Sequence, residues 1–583
     1  MISKLITIIL FFTFAGTSVS QEKADSKYFI IFKDKGEFKP QDIIVPGDNA
    51  YETGKSILSE RAINRRLKVL NENELISFAD LPVEKSYVSG IKNSGIDIIA
   101  VSRWMNGVSA YLTKKQVREI EKLEYVDKVN TVKKLFIQHE KNSQLTGQSD
   151  TDTSNNKFDY GNSYKQMETV NVPKVHNLNI TGKGVMIASF DDGFNWKDHE
   201  SLRGLNVTGE FDFINKDENT FAEKNQKYND IKTQGAHGTS TLSTMSGFKN
   251  GKLVSPAFDS EILLAKTEYV SSETPMEEDF FLEASEWAEA KGVDIVTSSL
   301  IYKKFDSPYE INSYEYGDFN GKTALTSIAA TRLAHLGVVV CQAMGNYDQT
   351  TIPSLGSAAD ADSIISVGAI TFSGNPASFT SNGPTSDGRT KPDVVAPGVY
   401  IYNAVAEEIS GNDSTYSYAN GTSFSTPITA GICAMILSVH PELTPLQVRD
   451  AIRNTASLSG NPNNILGWGI VNAYDALLYN GPAWSNTPEF NVTGKGTEVS
   501  TYLASKDLID PVSVRFNYSL DGGSNYESIA MTLKEPNGDQ NNSGKYSALI
   551  ENVPDLYKAK YFFSAEDYSG SKSVYPKEVS SSF

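Results

Sequence analysis

Apolar positions change rhythm several times along the chain. Between residues 164 and 480, near-continuous apolar runs at 185–190, 262–266, 294–300 and 338–343 alternate with longer mixed stretches. Runs without polar alternation suit strands covered on both faces, as in a parallel sheet flanked by helices. The stretches at 237–246, 278–291 and 323–335 have helical length and spacing. The pattern predicts an α/β domain with a doubly wound, mostly parallel sheet over 161–480. Its ligand site belongs at the carboxyl ends of the strands.

The flanks follow other rules. Residues 21–137 mix short strands (28–32, 96–101, 107–112, 126–135) with helical stretches near 59–68 and after Thr113. Thr113 and Gln116 have the spacing of a capping box. This predicts an α+β plait. Residues 138–160 are dominated by Gln, Asn, Ser, Thr, Asp and Gly, which cannot bury enough surface to order themselves, and read as a cleavable linker. After Gly481-Pro482 the helices stop. Short alternating segments at 512–518, 528–533, 546–550 and 559–565 are separated by turns such as Asp521-Gly522-Gly523, which predicts an all-β sandwich over 488–583.

The first residues give a compartment. Lys4 precedes the apolar run 5–14, and the small residues Ala15, Gly16, Ser18 and Ser20 follow. That is the order of a secretory signal peptide over 1–20. The run is too short to span a bilayer, which takes about 20 residues. The expectation is a secreted protein, extracellular or periplasmic, with no membrane span. Charge agrees: 53 Lys and Arg stand against 71 Asp and Glu, a net charge of −18 that disfavours nucleic acid. Two cysteines exclude a disulfide framework and a Cys-rich metal site, and Cys341 and Cys433 read as free core thiols. Six histidines leave few candidates for a catalytic imidazole.

Four segments carry chemistry. Gly421-Thr422-Ser423-Phe424-Ser425-Thr426-Pro427 opens a long small-and-apolar helix. A serine there sits among free N–H groups at the positive end of the helix dipole, although most such residues are simple caps. Gly235-Ala236-His237-Gly238-Thr239 offers a neutral imidazole that could take and return a proton, or a structural histidine. Asp191-Asp192-Gly193 ends an apolar run, as an orienting carboxylate or a turn residue would. Gly345-Asn346 ends another, with an amide able to donate to an oxyanion.

In the chain order Asp, His, Asn, Ser, these segments resemble the subtilisin-like (subtilase) serine peptidases. The likeness extends to Ala377-Ser378-Phe379-Thr380-Ser381-Asn382-Gly383-Pro384, to Lys391-Pro392-Asp393-Val394-Val395-Ala396-Pro397-Gly398, and to Gly467-Trp468-Gly469-Ile470-Val471-Asn472-Ala473. The resemblance implies a secreted serine endopeptidase made as an autoprocessed zymogen. Ser423 is similar to the nucleophile, His237 to the general base and Asp191 to the orienting acid. Asn346 matches the oxyanion donor, with the Ser423 N–H as the second. Asp191 takes the role because the family's acid directly follows the strand. Asp192 stands where Thr or Ser is frequent, and Asp in the kexin-like branch.

The family binds substrate as an added β-strand. Ser299-Leu300-Ile301 matches the pairing strand, with Ile301 where Gly is usual. Ala343 and Gly345 match the walls of the pocket for the residue before the scissile bond. Ile428 replaces the His usual after Pro427. Residues 21–137 resemble the inhibitory propeptides, which makes the chain's own propeptide an intramolecular inhibitor and polypeptides its substrates. No cofactor is required. A structural calcium is compatible with the resemblance, but no ligand set for one is legible, so no metal ligand is assigned. The sandwich has only generic immunoglobulin-like or fibronectin-like character, and its partner is unknown. The other readings are a pseudo-enzyme that binds through the sandwich, and an esterase or peptide ligase with the same triad.

Overall fold

The computed structural model describes residues 26–131 and 156–576, apart from 308, 310–312, 552–555 and 557–558. The expected signal peptide and most of the expected linker lie outside the described residues.

The N-terminal unit is built on a four-stranded antiparallel sheet. Its strands are β1 (Ser26–Phe32), β2 (Ile98–Ser102), β3 (Gly107–Leu112) and β4 (Val126–Thr131), in the order β2-β3-β1-β4. The connection from β1 to β2 includes the short helix α1 (Glu60–Arg66) and α2 (Lys85–Asn93). Helix α3 (Lys114–Ile120) starts where the sequence places it, with Thr113 and Gln116 capping each other's backbone N–H groups.

The central sheet has seven strands, all parallel. They are β5 (Met186–Asp191), β6 (Asn206–Asp212), β7 (Glu261–Lys266), β8 (Ile295–Ser298), β9 (Val339–Ala343), β10 (Ile365–Ile370) and β11 (Val394–Pro397). Their order is β11-β10-β9-β8-β5-β7-β6, with β6 and β7 on one side of β5 and β8 to β11 in succession on the other. Crevices form at the carboxyl ends of strands where such an order reverses, here between β5 and β8.

Alternate side chains of β5 enter two cores. Ile187 joins the layer with helix α4 (Ala236–Ser246) and helix α7 (Thr422–Val439), while Ala188 and Phe190 join the layer with α5 (Met276–Lys291) and α6 (Leu325–His335). Phe29 of β1 is buried in that second layer. Cys341 and Cys433 are buried and unbonded, with their Sγ atoms 4.0 Å apart. Among the described residues α7 is the one helix long and apolar enough to cross a bilayer, and all of it is buried inside the fold.

The C-terminal region is β-rich. One antiparallel sheet contains β12 (Ala483–Trp484), β13 (Glu489–Thr493), β14 (Gly496–Ala504), β17 (Thr532–Pro536) and β18 (Gly544–Glu551). A second contains β15 (Arg515–Ser519), β16 (Glu527–Ala530), β19 (Lys560–Glu566) and β20 (Lys572–Tyr575). Val499, Leu503 and Tyr546 from the first sheet and Phe516 and Phe563 from the second share one core. The segment 528–533, expected as one strand, is two. It breaks at buried Met531, and its halves go to different sheets. A continuous apolar pattern cannot show that crossing.

Candidate active site

Asp191 is the last residue of β5, paired in register with Lys266 of β7. Its side chain is 1% exposed. Asp191 Oδ1 lies 2.6 Å from His237 Nδ1 and accepts from the Asp192 N–H at 2.8 Å, while Oδ2 accepts from Thr241 Oγ1 at 2.9 Å. Three donors thus converge on one buried side chain. A carboxylate only accepts, so Nδ1 carries the ring proton and Nε2 becomes the basic nitrogen.

His237 is the second residue of α4. The close approach of helix to strand rests on Gly238, where a Cβ would stand 2.2 Å from Gly193 O and 2.9 Å from Asp191 Cβ. Asp192 serves the same helix end. Its Oδ1 accepts from Gly238 N at 2.8 Å and its Oδ2 from His237 N at 3.3 Å, two of the orphan donors of a helix start. Burial and the Asp191 charge push its carboxyl up, against the pull of His237 and those two N–H groups.

Ser423 is the second residue of α7 and is 5% exposed. Its carbonyl has lost the usual partner four residues on, because that residue is Pro427, which has no N–H. Ser299 Oγ, just past β8, donates to this carbonyl instead at 2.9 Å.

The turn after β9 runs Met344-Gly345-Asn346, so Asn346 follows the strand by three residues. Its Oδ1 accepts from Thr422 N at 2.9 Å and from Thr422 Oγ1 at 3.0 Å, which turns its amide nitrogen the other way. Gly421, at φ +151°, marks where that nitrogen lies. A Cβ there would stand 3.5 Å from Asn346 Nδ2, 3.5 Å from Ser423 N and 3.6 Å from Ser423 Cβ. Two N–H donors from separate elements therefore flank one point beside the serine.

The Subtilase family profile matches residues 182–469, and the Peptidase S8 propeptide domain described for Bacteroidota matches residues 27–148. The serine protease AprX of Bacillus subtilis (strain 168) is 31% identical over 322 residues, covering 51% of this chain and 67% of that protein. The chain belongs to the subtilase family. Subtilisin E of the same strain is 28% identical over 375 residues, 64% of this chain and 81% of that protein. Subtilisin amylosacchariticus of Bacillus subtilis subsp. amylosacchariticus has the same identity and coverage. The subtilase is thus a serine peptidase, a hydrolase of peptide bonds, and carries a propeptide domain.

The other expected site residues of the subtilase stand at the carboxyl ends of β8 and β9. Leu300 is nearly buried, and its carbonyl accepts from Gln342 Nε2 at 2.5 Å. Ile301 packs onto Gly356, where a Cβ would stand 2.3 Å from Ile301 Cγ2. Ala343 is fully buried at the end of β9, and Gly345 N donates to Thr422 Oγ1 at 3.3 Å. His176, His199 and His440 are buried and bonded to backbone carbonyls of Pro256, Thr415 and Leu477. His139 lies outside the described residues.

Sequence reasoning misses three features of the subtilase. One is the capping role of Asp192. Another is Gln234, whose Nε2 donates to both Asp192 O and Glu268 O. The third is a cluster of acids after β7, where one carboxyl oxygen each of Glu268, Glu273 and Glu277 lies within 4.8 Å of the others. The high density of Glu and Asp from 273 to 279, at the start of a largely buried helix, is the available signal.

Proposed function

We propose that the subtilase cleaves polypeptides through Asp191, His237 and Ser423, with Asn346 as an oxyanion donor. Ser423 Oγ attacks the scissile carbonyl carbon and gives its proton to His237 Nε2. The carbonyl oxygen becomes an oxyanion that accepts from Asn346 Nδ2 and Ser423 N. His237 passes its proton to the leaving amine, and water then repeats the sequence on the acyl-enzyme. The observation that carries this reading is the 2.6 Å contact between His237 Nδ1 and buried Asp191 Oδ1, which orients Nε2 as the base. Ser299, Leu300, Ile301, Ala343 and Gly345 are the substrate-binding residues in this reading, supported by their position at the carboxyl ends of the adjacent strands β8 and β9.

The proposed division of the chain is a signal peptide at 1–20, a propeptide at 21–137, a linker at 138–160, the peptidase at 161–480 and a β-sandwich at 488–583. The protein is exported, and it removes its own propeptide after that unit has held it inactive. The charge and apolar order of the first 20 residues and the polar linker support this.

Three experiments test the reading. A fluorophosphonate probe should label Ser423 in the mature protein. Ser423→Ala should fold yet keep residues from about 21 onward, whereas the parent should show an N-terminus between about 136 and 164 by N-terminal sequencing. Equal maturation of both proteins, purified free of other proteases, would show that the cut is not self-made. Asn346→Ala should lower kcat by about 10²–10³ with little change in KM; a near-normal kcat would reduce Asn346 to a loop residue.

A further inference from the structure

Past β8 the chain runs Ser299-Leu300-Ile301-Tyr302. Side chains of extended backbone take alternate sides. Leu300 and Tyr302 enter the core that also holds Met344 and Leu355. Ser299 turns to the other side, where its hydroxyl meets the Ser423 carbonyl. Ile301 shares that side and is half-buried. Residues 299–301 run on beside 343–345, because β8 and β9 are parallel neighbours with Ser298 opposite Gln342, and Gln342 Nε2 holds the Leu300 carbonyl.

A loop faces this segment. Tyr302 N donates to Ser357 O at 2.9 Å, and Ser357 N donates to Tyr302 O at 3.1 Å. That pairing sets Gly356 against Ile301. Leu355 goes to the core, so the bare face of buried Gly356 is on the side of Ile301. A Cβ on Gly356 would stand 2.3 Å from Ile301 Cγ2 and 3.7 Å from Ile301 Cβ. The isoleucine thus lies directly on the Gly356 backbone, in the space that a side chain on residue 356 would take.

Attack by Ser423 fixes where a substrate side chain can go. The scissile carbonyl carbon must reach Ser423 Oγ, with its oxygen between Asn346 Nδ2 and Ser423 N. The side chain of that residue then lies between 299–301 and 343–345, on the side of Ser299 and Ile301. Ile301 already fills space there, against Gly356. A β-branched side chain has little rotameric freedom to swing aside, and pressing further methylenes into filled space is unfavourable.

We propose that Ile301 limits the residue before the scissile bond to glycine, alanine or serine. The inference rests on the reading of Ser423 as nucleophile and of 299–301 as the strand that substrate pairs with. It makes Ile301 a specificity-determining residue, and polypeptides cut after a short side chain the substrate class.

The test uses the processed form of the full chain, with active sites counted by a fluorophosphonate probe. The ratio kcat/KM is measured on peptides that differ only in the residue before the scissile bond: Gly, Ala, Ser, Leu, Phe or Lys. The parent should favour Ala over Phe by at least about tenfold. Ile301→Gly should move the preference to Phe and Leu, and Ile301→Ala serves if that variant does not fold. Adding Gly356→Val to Ile301→Gly should fill the space from the other wall and restore the parent's preference. A parent that cuts after Phe or Leu as readily as after Ala would overturn the proposal and leave the peptidase reading intact. So would an Ile301→Gly protein with the parent's preference, or a double variant that keeps the preference of Ile301→Gly. If Ser423 takes no probe and no peptide is cut, the peptidase reading itself fails and this proposal with it.

Discussion

The two flanking units of the subtilase are attached to the peptidase by different physics. The propeptide side is joined by buried charge. Lys27 Nζ pairs with Asp279 Oδ1 at 2.7 Å with both side chains fully buried, and Ser109 Oγ donates to the other oxygen of Asp279 at 2.8 Å. Arg65 and Arg66 of α1 converge on Glu289 at the far end of α5, with Arg66 Nε 2.8 Å from its Oε1. The C-terminal side is joined mainly by neutral contacts. Asn486 Nδ2 donates to Lys183 O at 2.8 Å, Asn537 Nδ2 reaches the Tyr474 hydroxyl at 3.0 Å, and small Ala483 and Ala504 enter the peptidase core. A carboxylate enters this joint at Asp539, which accepts from the Tyr474 hydroxyl at 2.5 Å. A joint of buried ion pairs responds strongly to a single deletion and to pH, and a neutral joint does not.

The sharpest break of that contrast is Glu289→Ala in Ser423→Ala protein. It removes the carboxylate on which two buried guanidinium groups converge, leaving Arg66 only the Asp80 carboxylate, and should destabilise the propeptide's docking by about 3–5 kcal/mol. The check is the urea midpoint for its release, and an unchanged midpoint would mean that the arginines find other partners.

The second effect is pH. Burial pushes the Glu283 carboxyl up to about 7, against Lys216 and the Val101 N–H of the propeptide that bond to it. A carboxyl raised above its ordinary 4.5 stabilises docking fully below that value and loses the contribution as pH rises through about 7. Asp80 runs the other way. Despite burial, Arg66 of the same unit holds it down at about 2, so its contribution to the propeptide's own fold is present above its ordinary 3.8 and is lost as pH falls towards 2. Docking should be tightest below 4.5 and should weaken as pH rises through about 7, while the propeptide's own fold loses the Asp80 contribution below 3.8. Moving from about pH 6 to about pH 8.5 should cost about 1–2 kcal/mol, and Glu283→Gln should flatten that slope. The Tyr474 hydroxyl is held far above its ordinary range by burial and by Asp539, so the C-terminal joint lacks this response.

Asp539→Ala is the milder counterpart. It removes a hydrogen bond at the C-terminal joint and should cost about 1 kcal/mol, read as a small fall in melting temperature. Smallest of all, ending the chain after residue 480 should leave hydrolysis of short chromogenic peptides measurable. If every truncation between 480 and 488 is folded and inactive, the C-terminal region is part of the peptidase.

Much of the fold is legible because buried parallel strands announce themselves. β5, β7, β8 and β9 stand within a residue or two of unbroken apolar runs. The edge strand β6 gives no such signal, since its sequence Asn-Val-Thr-Gly-Glu-Phe-Asp is mostly half-exposed. Nor does β14, where Gly, Thr, Glu and Ser interrupt the apolar positions that face the core. At the site, Asp191, His237, Asn346 and Ser423 each sit in a local motif that names them. The acids at 268, 273 and 277 do not, because the path of a loop brings them together. The same holds for Arg65 and Glu289, which are 224 residues apart.

The proline four residues after Ser423 acts through an atom it does not have. Any other residue there would bring an N–H to the Ser423 carbonyl and compete with the Ser299 hydroxyl for it. Without that competitor, the start of the nucleophile's helix is indexed to the strand on which substrate is proposed to lie. The last letter of Gly-Thr-Ser-x-Ser-x-Pro is then a statement about alignment between two distant stretches of chain, made by leaving one hydrogen-bond donor out.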